Sequence, residues 1–170
     1  LNRGENMSDR VLKYEIKLDK NDIWYFSLYS ANRAYLGVFN LLFTMASVYF
    51  LINSWSELSL SRKILFLVCS LMFSVIQPAI LYLKATKQAS TDTIKKGFVL
   101  ELSKEEILVR QDGNTLNVAW EEVYKTMLRK SMIVIYFAPL RGYLIPNRYL
   151  GNTREELENL LKEKTRVTRF

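Results

Sequence analysis

The sequence predicts an α+β membrane protein, a two-helix transmembrane hairpin followed by an antiparallel β-sheet that a C-terminal helix caps. Three observations carry this: two charge-free apolar runs at 34–52 and 64–83, period-2 alternation from Phe98 onward, and a final segment with one apolar face. Each run approaches the roughly 20 residues needed to cross a hydrocarbon core of about 30 Å. Apolar residues gather in the runs and charges gather outside them, so the chain divides into 1–10, a disordered N-terminus; 11–33, strand and juxtamembrane helix; 34–83, hairpin; 84–97, basic connector; 98–165, β domain with its helix; and 166–170, tail.

At the start, Met7 is a candidate native start, with Leu1 to Asn6 upstream of it. Leu12, Tyr14, Ile16 and Leu18 alternate with Lys13, Glu15 and Lys17, the pattern of a half-buried strand. Asp19 is placed to cap a helix over 20–33, with Asp22 in its first turn. Trp24, Tyr25, Tyr29, Tyr35 and Tyr82 suit one head-group layer, and Tyr49 and Trp55 the opposite one. Lys17, Lys20, Arg33, Lys84, Lys87, Lys95 and Lys96 outweigh Arg62 and Lys63 of the hinge, Asn53 to Lys63. The positive-inside rule therefore puts both termini in the cytoplasm.

Polar residues mark one face of each run. Asn40, Thr44 and Ser47 are spaced by four and three, as are Ser70, Ser74 and Gln77. Antiparallel folding sets Asn40 opposite Gln77, Thr44 opposite Ser74 and Ser47 opposite Ser70, so the stripes are expected to zip the hairpin by interhelical hydrogen bonds, with Gly37 and Ala46 easing close approach. The alternative is a polar path through an oligomer of hairpins, against which stands the lack of any charge in the stripes. Pro78 is expected to kink the second helix and free a carbonyl that Ser74 or Gln77 satisfies.

Beyond the connector, Phe98, Leu100 and Leu102 alternate, Ile107 to Arg110 follow, and Asp112-Gly113 turns the chain into Leu116, Val118 and Trp120. Further strands are read over 124–129, 132–137 and 143–145, and Thr153 with Glu156 forms a capping box for a helix whose apolar face is Leu157, Leu160 and Leu161. Trp120 is expected to end a strand with its ring in the core. Because both connections leave the membrane on one side, the strand around Tyr14 is expected to join the same sheet.

The chemistry of common active sites is missing from the composition. The 170 residues hold no histidine and one cysteine, Cys69, which removes the commonest general base and any intramolecular disulfide. Glu105-Glu106 and Glu121-Glu122 are carboxylate neighbours whose side chains diverge on a strand, and six glycines form no phosphate-cradling motif. No catalytic, cofactor-binding or metal-ligating residue is assigned, and no cofactor is expected. The net charge of +7 is attributed to anionic lipid head groups rather than to nucleic acid. Lys84, Lys87, Lys95 and Lys96 are the expected lipid contacts just beyond the hairpin. Arg129 and Lys130, with Lys125, Arg141 and Arg148, form a second candidate surface for a lipid head group or an acidic protein segment.

The order of elements, with YEIKLDKNDIWYFSLY, WEEVYKTMLRKSMIVIYF and GYLIPNRYL, resembles the YcxB-like family of bacterial membrane proteins from about Leu12 to Lys164. The resemblance implies a pleckstrin-homology-like (PH-like) β domain in the C-terminal part, and it implies neither enzymatic activity nor particular ligand residues. The function expected is that of a non-enzymatic, membrane-anchored interaction or regulatory protein of a bacterial inner membrane. Its partners would be the lipid bilayer, an unknown protein and, if the hairpin oligomerises, further copies of itself. An immunity protein against a bacterial toxin and a small oligomeric transporter or channel are the alternatives.

Overall fold

Strand β1, Leu12–Ile16, is separated from its neighbour β2, Phe98–Leu102, by the whole helical part of the chain, yet Leu12 pairs with Leu102 and Ile16 with Phe98. The computed structural model describes residues 11–32, 35–139 and 141–169. The expected disordered segment 1–10, Met7 included, and positions Arg33, Ala34, Leu140 and Phe170 lie outside the described residues. The chain divides into two compact units, a helical one over Asp19–Thr91 and a β unit made of 11–18 and 92–169.

The β unit contains two four-stranded sheets. The first runs β1-β2-β3-β4, with β3 at Glu106–Gln111 and β4 at Asn114–Ala119. It is wholly antiparallel, and the strand around Tyr14 joins it as expected. Asp112 and Gly113 both take positive φ (52° and 77°) in the β3–β4 turn, the geometry that asks for this residue pair. The second sheet has the order β7-β6-β5-β8: β5 Lys125–Leu128, β6 Met132–Ala138, β7 Arg141–Pro146 and β8 Val167–Arg169. The tail expected at 166–170 is thus corrected over Val167–Arg169, which pairs in parallel with β5 and is joined to it by a 3.0 Å bond from Thr126 N to the Arg166 carbonyl.

Alternation decides what becomes core. Leu12, Tyr14 and Ile16, Phe98, Leu100 and Leu102, and Ile107 and Val109 all point one way and are buried. They meet Ile133, Ile135 and Ile145 of the second sheet and Leu157 and Leu161 of the terminal helix in one continuous cluster. Trp120 lies at the start of a single 3-10 turn, Trp120–Glu122, with its ring buried and its indole donating to the Ser103 carbonyl at 3.1 Å.

In the helical unit, Asp19 and Asp22 form a capping box at the start of α1, Lys20–Ala31. Helix α2 spans Tyr35–Asn53. The second apolar helix is longer than its run suggests: α3 (Leu60–Leu71), a π-helical turn (Met72–Ile76) and α4 (Gln77–Ala89) form one helix over Leu60–Ala89. The basic connector expected at 84–97 is therefore corrected. Its first part, KATKQA, consists mostly of good helix formers and prolongs α4, a second short helix α5 covers Asp92–Lys96, and Gly97 leads into β2. The terminal helix α6 is Arg154–Lys164.

Two turns depart from their expected chemistry. Thr153 makes no side-chain cap for α6, because its hydroxyl bonds Tyr14 and the Leu150 carbonyl instead. Pro78 lacks the N–H that would close the preceding turn, and there the helix widens, with Gln77 N reaching back to the Met72 carbonyl.

Candidate functional site

The polar stripes are the first sequence-derived candidates. Asn40, Ser47 and Ser70 are the buried polar residues of α2 and α3 in a unit whose apolar side chains are mostly exposed. Thr44 and Gln77 are half-buried and Ser74 is exposed. Their hydrogen bonds are not the interhelical ones expected. Ser70 Oγ donates to the Leu67 carbonyl at 2.8 Å and Ser74 Oγ to the Ser70 carbonyl at 3.2 Å, since a helical hydroxyl reaches its own preceding turn more readily than a neighbouring helix. Asn40 Nδ2 donates to Asn32 Oδ1 at 2.8 Å rather than to Gln77, whose Oε1 is buried without a hydrogen-bond partner among the described residues.

Rings also join the two helices. Phe43 meets Phe73 edge-on at 5.6 Å, and Phe50 stacks on Phe66 at 6.0 Å. Gly37 lies against the chain just after α1, because a side chain there would collide with the Asn32 carbonyl.

The expected juxtamembrane helix is also packed differently. Trp24 donates from its indole to the Pro78 carbonyl at 3.0 Å and meets Tyr82 edge-on at 5.5 Å, so α1 lies along α4. Lys20 sits 5.3 Å above the Tyr82 ring, and its hydrogen bond to that phenol raises the ammonium above its ordinary 10.5. The sequence signal for this seam is the aromatic-rich segment 24–29, which suits a head-group layer and a packing face alike.

The lysines beyond the hairpin fall in different surroundings. Lys84 and Lys87 are exposed on the last turns of α4, whereas Lys95 and Lys96 belong to α5 of the β unit. Lys96 pairs with Asp112 at 2.9 Å, closing one side of a cleft of about 460 Å³ that Lys17, Phe98 and Arg110 also line. Gly97, with φ of 75°, is required at this cleft because a Cβ would strike the Ile16 carbonyl.

Arg129 and Lys130 form the turn between β5 and β6, and their carbonyls are held from below by Arg154 of α6. Its guanidinium donates to the Arg129 carbonyl at 2.6 Å and the Lys130 carbonyl at 3.1 Å, bonds Asn147 and pairs with Glu158 at 2.9 Å. Lys130 is exposed; Arg129 is half-buried, and burial lowers its guanidinium below the usual range. Lys125 lies over the Tyr124 and Tyr136 rings at 5.6 and 5.1 Å, and Arg148 donates to the Lys17 carbonyl at 3.2 Å. Of this second candidate surface, Lys130, Arg141 and Arg148 are exposed, while Lys125 and Arg129 are half-buried. Burial raises Tyr14 and Tyr143 above their ordinary 10.0, so both phenols are neutral over the physiological range.

These features define a class: a two-sheet β unit with a terminal helix, carrying an inserted unit of exposed apolar helices. No protein-family model matches the chain, and no curated protein or solved structure matches it either.

Proposed function

We propose that the protein is a non-enzymatic, membrane-anchored interaction or regulatory protein of a bacterial inner membrane, in which the β unit is a PH-like domain on the cytoplasmic side. The observation that carries the reading is the character of the insertion. Its two helices are long and apolar enough to cross a membrane, and only 11% and 6% of their most apolar windows is buried, whereas the core helix of a water-soluble protein is mostly buried. Leu41, Leu42, Met45, Ile64, Leu65 and Leu67 all expose about half of their surface or more, which water penalises and lipid does not.

Topology supports the orientation. The chain leaves the first sheet after Ile16 and returns at Phe98, its cross-strand neighbour, which supports a reading in which both ends of the insertion enter the membrane from one side. Lys20, Lys84 and Lys87 near those ends favour the cytoplasm for that side. The two sheets closed by α6 accord with the PH-like reading, and the absence of histidine accords with a binding rather than a catalytic role.

The test is photocrosslinking in native membranes from probes at Lys130 and Arg141. Recovery of one defined protein, lost when the probe is moved to buried Leu100, supports the reading. Recovery of lipid alone contradicts it.

A further inference from the structure

A sheet edge exposes a row of unpaired backbone donors and acceptors, and proteins ordinarily guard it with charges, proline, bulges or a covering segment. Three of the four edges described here are guarded. β1 carries Lys13 and Glu15, and the backbone of Lys17 just beyond it is bound by Tyr149, whose hydroxyl accepts from Lys17 N at 3.2 Å and donates to its carbonyl at 2.8 Å. β7 begins at Arg141, ends at Pro146 and pairs with β6 through a bulge. β8 is only three residues long. β4 has none of these devices: Asn114–Ala119, NTLNVA, is uncharged, contains no proline and pairs in regular register with β3 alone.

The centre of that strand carries a second anomaly. Val118 points to the core and is buried; Leu116, on the same side by alternation, is 52% exposed. Leu116 also lines a cleft of about 290 Å³ with Val109, Thr115 and Tyr143. An apolar side chain on the core-facing side of an open edge lacks a neighbour that one further strand would supply.

We propose that β4 pairs antiparallel with β4 of a second copy of this chain, about a two-fold axis through Leu116. Two-fold symmetry perpendicular to the sheet requires opposed residues to share a face. Centring on Leu116 satisfies this: Leu116 lies opposite the second copy's Leu116, Thr115 opposite Asn117, and Asn114 opposite Val118. The central pair buries apolar surface against itself, the flanking pair is polar on both sides, and the uncharged strand brings no like charges together. The first sheets of the two copies become one continuous sheet.

The pairing is read from mass and crosslinking of the full chain in detergent micelles, in a Cys69→Ser background. The unsubstituted strand gives a dimer, and Leu116→Cys forms an interchain disulfide. Because Leu116 is exposed, Leu116→Lys and Leu116→Glu leave the fold intact; each alone shifts the mass to monomer, and mixing the two restores a dimer containing one of each. A monomeric parent chain overturns the proposal, even if the edge accepts a strand from another protein. So does a dimer that survives Leu116→Lys, or a Lys and Glu mixture that stays monomeric.

Discussion

Ile16 lies directly across from Phe98 in an antiparallel pair, although all of Asp19–Thr91 is threaded between them. The helical unit is thus an insertion in a β-hairpin, and the β unit's core draws on strands from both sides of it. Replacing 19–91 with a short Gly/Ser linker is expected to leave a folded, water-soluble β unit. Circular dichroism and dispersed amide resonances check this, and an unfolded or aggregated product contradicts it.

Gly97 stands where the chain re-enters the sheet. Gly97→Ala adds a left-handed penalty of about 1–2 kcal/mol to the collision with the Ile16 carbonyl. Denaturant unfolding of the linker-joined β unit is expected to show a loss at least that large, whereas Gly113→Ala, with open space around its Cβ, shows the smaller loss.

Arg154 ties α6 to the β5–β6 turn through two backbone carbonyls. Arg154→Leu leaves those acceptors without their donor, and a loss of about 2–3 kcal/mol is expected in the same unfolding measurement. Arg154→Lys recovers only part, because one ammonium does not reproduce the spread of the guanidinium. Equal stability of all three proteins would show that the turn is held otherwise.

Tyr14 donates or accepts at 2.8 Å with Thr153 from a buried position that raises its pKa. The folded value lies above the unfolded 10.0, so this stabilisation is complete below pH 10 and is lost as pH rises through the folded value. Tyr143 adds to the same loss. Tyr14→Phe is expected to cost about 1 kcal/mol near neutrality and to flatten the alkaline decline. A decline as steep as that of the parent protein would assign the effect elsewhere.

Much of the β unit is legible in the sequence because its causes are local. The alternation at Leu12, Tyr14 and Ile16 and the Asp112-Gly113 turn each announce themselves within a few residues. Thr153 does not, because the partner that claims its hydroxyl lies on β1, 139 positions away. β8 is too short to show a period, and KATKQA reads as a polar tether only if charge is weighed above helix propensity. In the polar stripes, spacing reveals that Asn40, Ser47 and Ser70 are buried, but the choice between a neighbouring helix and the residue's own carbonyl is made by reach, which spacing does not encode. The unguarded edge of β4 was equally out of view, since guarding is a comparison among strands whose order the sequence alone leaves open.

In the proposed arrangement the insertion crosses a membrane and returns, leaving the β unit on the cytoplasmic side. Single cysteines at Ser56, in the turn between α2 and α3, and at Asp112, in the β3–β4 turn, test it in a Cys69→Ser background. An impermeant maleimide added to spheroplasts is expected to label Ser56→Cys and to reach Asp112→Cys only after the membrane is opened. Labelling of both positions from the same side, or recovery of the intact chain in the soluble fraction, would contradict it.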